Sequence, residues 1–119
     1  MYVAGKLNDM AVDYLHNVHK MMDFAEQVRK EGYSVFVPAI DLLMGIKFGY
    51  TDYHDYFDNS QPWIMAADAI VLVPGWETSA GTAKEIALAE ECEIPVYTSL
   101  KNLKRHMPNN QLWKVVQGA

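Results

Sequence analysis

The chain reads as an α/β protein, a single-domain Rossmann- or flavodoxin-like sandwich over residues 1–119 with a parallel sheet of four or five strands. Three observations predict it. Short apolar runs alternate with longer amphipathic stretches, the order that builds parallel strands joined by helices. The run Ala69-Ile70-Val71-Leu72-Val73 is apolar without a break, which suits a parallel strand covered on both faces. A length of 119 residues, half of them hydrophobic, suffices for one core and not two.

Each element follows in order. Tyr2-Val3-Ala4-Gly5 is a short buried strand that stops at a turn. Asn8 or Asp9 can cap a helix whose apolar residues Ala11, Leu15, Val18, Met22, Ala25 and Val28 recur at three- and four-residue spacing, with Arg29 and Lys30 in its last turn and Gly32 at its end. Ser34-Val35-Phe36-Val37 is a second strand, stopped by Pro38. From Ala39 to Gln61 the pattern weakens into short helical turns and loops, and Asn59 or Ser60 can cap a brief helix with Pro62 in its first turn. After the strand at 69–73, a loop from Pro74 to Ala80 leads to a helix from about Gly81 to Glu91. Ile94-Pro95-Val96-Tyr97 is the fourth strand, followed by a helix from about Ser99 to Arg105 and a short one near Gln111 to Val116.

A formal charge of -5 is the wrong sign for gripping a phosphate backbone, so no nucleic-acid polymer is expected as a partner. The longest apolar runs fall far short of the ~20 residues of a membrane span, and the N-terminus lacks a charged-then-apolar leader. The expectation is a cytoplasmic protein without a membrane partner. Cys92 is the sole cysteine, so neither an intrachain disulfide nor a cysteine zinc cluster is possible.

In a parallel sheet the loops at the carboxyl ends of the strands hold ligands. Two such loops face one crevice: Gly5-Lys6-Leu7-Asn8, and Pro74 to Thr82. In the second, Gly75 and Gly81 permit close backbone approach, Thr78, Ser79 and Thr82 offer hydroxyls, and the following helix presents N–H groups and a positive dipole end to an anion. Hydroxyl capping of a helix entry accounts for the same residues without a ligand. Glu85 shares a helical stripe with Gly81, Leu88, Ala89 and Cys92, so its carboxylate points along a small, mostly apolar face. Its rival role is a capping box, Thr82-x-x-Glu85, that merely closes the helix. His16 and His19 have a spacing that could share a metal, but no third ligand is evident, and no metal or cofactor is expected. Tyr50, Tyr53, Tyr56, Phe57 and Trp63 can stack a base or shield a pocket, or serve as core and interface.

Tyr2 to Gly5 and the segment Ala67 to Glu85, with its PGWExSxGxxxE-type signature, resemble the nucleoside 2-deoxyribosyltransferase-like superfamily, and within it the DUF4406 branch. The resemblance runs from Tyr2 to Tyr97. It implies that Glu85 is the glutamate that attacks the anomeric carbon and that Tyr2 orients it. It implies that Ser79 contacts a 5′-phosphate, which favours a nucleoside monophosphate over a free nucleoside. The general acid departs from the pattern: with Trp63 aligned to the family's tryptophan, Ser60 stands where an aspartate is usual, and Asp58 is the nearby substitute.

The expected function is therefore cleavage or transfer of the base of a (deoxy)nucleoside 5′-monophosphate, an N-glycosidase or deoxyribosyltransferase reaction. Glu85, Tyr2 and Asp58 are its catalytic residues. Gly5, Lys6, Asn8, Trp76, Ser79, Gly81 and Thr82 bind the substrate. A carboxylate below the ring suits an oxocarbenium-like transition state, while an acid protonates the departing base. One alternative is a non-catalytic nucleotide-binding module on the same fold. Another is resemblance to the phosphoribohydrolases that release cytokinin bases, whose PGGxGTxxE-like loop Gly75 and Gly81-Thr82-x-x-Glu85 partly echo, although Trp76 to Ala80 spoil the match. So small a domain has little surface to enclose a nucleotide, so a homodimer or higher homo-oligomer is expected, with the aromatic residues between Tyr50 and Trp63 at its interface.

Overall fold

The computed structural model describes residues 1–5, 11–38, 47–48 and 53–108, with side chains 11–14 and 53–56 outside that description. Strand β1 (Tyr2–Ala4) is followed by helix α1 (Ala11–Lys30) and helix α2 (Tyr53–Ala66). Then come β2 (Ile70–Leu72), a single 3-10 turn (Trp76–Thr78), α3 (Ala80–Glu91), β3 (Val96–Tyr97) and α4 (Leu100–His106). The three strands form one parallel sheet in the order β1-β2-β3, with Tyr2 beside Ile70, Ala4 beside Leu72 and Ile70 beside Val96.

The fold is α/β with a parallel sheet, but among the described residues it has three strands rather than four or five. The expected strand Ser34–Val37 contributes one bridge, Phe36 to Tyr2. Phe36 N–H donates to the Met1 carbonyl and the Phe36 carbonyl accepts from Val3 N–H, while Tyr2 N–H donates to the Ala69 carbonyl, so β1 lies between Phe36 and β2. Pro38 has no N–H to continue that ladder.

Every residue of β1 and β2 is buried, as an unbroken apolar run requires. Val3, Val71 and Val73 pack with Val18, Met21, Phe24, Ala25 and Val28 of α1 and with Leu103 of α4. Tyr2, Ala4, Ile70 and Leu72 pack on the opposite face with Ile64 of α2 and Ala89 of α3. Alternation of side chains along β1 thus sends Tyr2 toward α3 and Val3 toward α1.

Two details of the helices differ from expectation. The buried stripe of α1 runs through Val18, Met21, Ala25 and Val28, and Leu15 and Met22 are exposed. Both lie on the flank beyond Val18, a displacement that three-and-four spacing allows on either side of a stripe. Helix α2 passes through Pro62 rather than starting at it. The proline removes the N–H that would bond the Asp58 carbonyl, and the helix persists because Ser60 and Ile64 bury its inner face while Asp58 stays on the solvent side. The cap at Asn8 or Asp9 and the helix near Gln111 to Val116 lie outside the described residues. Among the described residues no helix is long and apolar enough to cross a membrane.

The end of α3 lacks the usual glycine. Ile94 N–H donates to the Ala89 carbonyl at 2.8 Å and Glu93 N–H to the Glu90 carbonyl at 3.1 Å, a Schellman closure that puts Glu93 at φ 59. A side chain in this left-handed region carries a cost that glycine avoids. Glu93→Gly is expected to stabilise the fold by about 0.5–1 kcal/mol despite the added freedom of the unfolded chain. Urea denaturation checks this, with an unchanged slope and a higher midpoint as the expected result.

Candidate active site

The site is built where β1, β2 and the loop entering α3 meet. Gly5 closes the carboxyl end of β1 directly against Val73: a Cβ at Gly5 would lie 2.7 Å from the Val73 Cβ and 2.9 Å from its Cγ2. Only hydrogen fits there. After Val73 the chain turns at Gly75, whose φ of 92 suits glycine, and makes the single turn Trp76–Thr78. Trp76 is half-buried and packs on the same cluster as Tyr2 and Leu72.

Ser79 is the N-cap of α3. Its Oγ accepts from Thr82 N–H at 3.1 Å and from the Thr82 hydroxyl at 3.0 Å. Thr82 is fully buried, so it holds Ser79 from behind and does not face solvent. A serine hydroxyl that accepts two bonds still has one O–H to donate. Gly81, in the first turn, is half-buried.

Glu85 lies one turn deeper and is 9% exposed. Its carboxylate Oε2 accepts a hydrogen bond from the hydroxyl of Tyr2, which is fully buried. The cap belongs to Ser79, so Thr82 is the third residue of the helix and the box Thr82-x-x-Glu85 does not close its end. Glu85 is instead bonded to the adjoining strand, which offsets part of the cost of desolvating its carboxyl group. Tyr2 is held in turn by an aromatic column: Phe36 stacks on it with ring centroids 5.7 Å apart, and Trp63 stacks on Phe36 at 4.7 Å.

The structure therefore brings together Tyr2 and Glu85, with Trp76 and Ser79 on the loop that enters α3 and Gly81 and Thr82 in its first turn. Asp58 is not brought to this group. It is exposed and two residues from buried Ser60, so it leaves α2 on the far side from the Ser60 and Ile64 face. Lys6 and Asn8 lie outside the described residues. Phe36 is the neighbour that sequence reasoning missed, since as part of a short apolar run it carried no mark beyond strand character.

Residues 1–98 match the family described as Domain of unknown function (DUF4406), and the chain belongs to that family. The matched span contains β1 to β3 and every residue of the site just described. No curated protein and no solved structure matches the chain.

Gly5→Ala forces Val73 and the ends of β1 and β2 apart, an overpacking expected to cost about 1–3 kcal/mol. A lower denaturation midpoint is the expected result, and an unchanged one would contradict the close approach.

Proposed function

We propose that the protein is an N-glycosidase or deoxyribosyltransferase of the nucleoside 2-deoxyribosyltransferase-like superfamily, cleaving the base–sugar bond of a (deoxy)nucleoside 5′-monophosphate through Glu85. The observation that supports it most is the buried Glu85 carboxylate bonded to the Tyr2 hydroxyl at the edge of a parallel sheet. A Rossmann- or flavodoxin-like arrangement is in keeping with helices on both faces of that sheet. The Glu85 carboxylate attacks the anomeric carbon as the base departs with the bonding electrons, giving a glycosyl ester. Water, or a second base, then displaces Glu85 with net retention. Tyr2 keeps one carboxylate oxygen in place, so the other is aimed without a search over rotamers. The 5′-phosphate is taken by the Ser79 hydroxyl and the first turn of α3, where N–H groups and the helix dipole favour an anion.

Base protonation falls to water, because Asp58 is on the outer side of α2. That placement, with Ser60 at the inner position, favours the second reading, a nucleotide-binding module without turnover. Incubation with a panel of nucleoside monophosphates, with chromatography for released base, separates the two: binding without release selects the module.

In the catalytic reading, Glu85→Gln preserves the fold and nucleotide affinity and lowers the rate by about three orders of magnitude, since it removes the charge that meets the oxocarbenium centre. A rate within a few-fold of the parent would remove Glu85 from the chemistry. Ser79→Ala is expected to weaken monophosphate binding by about 1–2 kcal/mol and to leave nucleoside binding unchanged. Calorimetry with a matched nucleoside and nucleotide pair measures this, and equal affinities in the parent protein return the loop to the role of a helix cap.

A further inference from the structure

A second polar constellation lies on the other face of the sheet. Helix α1 packs against the face opposite Tyr2, and between it and Pro74 is a depression of about 450 Å³. That volume is in the range of small-ligand sites. Phe24 and Pro74 provide apolar contact, and the polar lining is His16, His19, Lys20, Asp23 and Gln27. These five occur at steps of three and four along α1, so they share one side of the helix.

All five side chains are exposed, and one observation sets the group apart from an ordinary solvated helix face. Lys20 is bent over the turn that leaves β2: a Cβ on Gly75, at φ 92, would lie 3.0 Å from its Nζ. The ammonium thus sits at the loop after β2, the edge of a parallel sheet where ligands collect, but on the α1 side and not the Glu85 side.

We propose that this depression binds a small sugar phosphate. Lys20 and the imidazole N–H groups of His16 and His19 are donors drawn from a single turn of helix, and they suit the terminal oxygens of one phosphate. Asp23 and Gln27, one and two turns further on, accept from and donate to hydroxyls, and the Asp23 charge disfavours a second anionic group. Three His, Cys, Asp or Glu side chains placed to hold a metal ion are not found among the described residues, so His16, His19 and Asp23 are read as hydrogen-bonding groups. The proposal does not depend on the role of Glu85.

Proton NMR of the four imidazoles tests it on the full chain, titrated separately with ribose 5-phosphate, inorganic phosphate and ribose. Expected are saturable shifts of His16 and His19 with a midpoint of about 1 mM or lower for ribose 5-phosphate. Inorganic phosphate shifts the same resonances more weakly, ribose leaves them in place, and His54 and His106 do not respond. Lys20→Ala, an exposed substitution, weakens the response about tenfold or more, and Ser79→Ala leaves it intact. Absence of saturation, shifts that survive Lys20→Ala, phosphate binding as tight as ribose 5-phosphate, or loss of the response in Ser79→Ala would each overturn the proposal. The last of these would place the anion at α3 instead.

Discussion

A carboxyl group is withdrawn from water at little cost only where hydrogen-bond partners are waiting for it, and in this molecule Tyr2 is such a partner for Glu85. The Tyr2–Glu85 bond joins β1 to α3, across 83 positions of sequence. Much of the surrounding construction serves that contact. Tyr2 is bonded on one side to Ala69 and bridged on the other to Phe36, and its ring is backed by Phe36 and then Trp63. On the other partner, Ser79 starts α3 at the residue that places Glu85 opposite the strand, and Ile94 clamps the far end of the helix.

The two faces of the sheet divide the remaining work. Helices α1 and α4 cover the Val3 and Val71 side, where buried Leu103 and the bond from the Tyr33 hydroxyl to the Met107 carbonyl, 2.5 Å long, hold α4 in place. The Lys104–Glu31 pair at 3.2 Å joins the same elements but is exposed, so it contributes little beside the packing. Helices α2 and α3 cover the face that carries the carboxylate. Because Gly5 admits Val73 without an intervening side chain, the loops from both strands leave the sheet at nearly one point.

The sequence announces the parts of this arrangement that depend on burial. The run at 69–73 can only be a strand covered twice, and the small apolar stripe around Glu85 marks it as a carboxylate facing inward; both are found so. Position along a helix is harder to read. Ser79-x-x-Thr82 and Thr82-x-x-Glu85 have the same capping spacing, and only the start of α3 shows that the first pair is the cap. Packing overrides local preference at Pro62, inside a helix, and at Glu93, where a non-glycine residue takes the left-handed turn. Asp58 is close to Ser60 in sequence but not in direction, because two residues of helix reverse the outlook of a side chain.

The pairing of Tyr2 with Ile70 and of Val3 with Val71 has a consequence for how the chain folds. Each strand here is no more than three residues long, so the ladder alone discriminates poorly between neighbouring alignments. A slip of one residue would turn the phenol toward α1 and offer a valine to the buried carboxylate, exchanging the contents of the two faces at once. The buried carboxyl group thus acts as a proofreader of strand alignment: a chain paired out of step would take the Tyr2 hydroxyl away from it, and that loss penalises every alignment but the one in which the site exists.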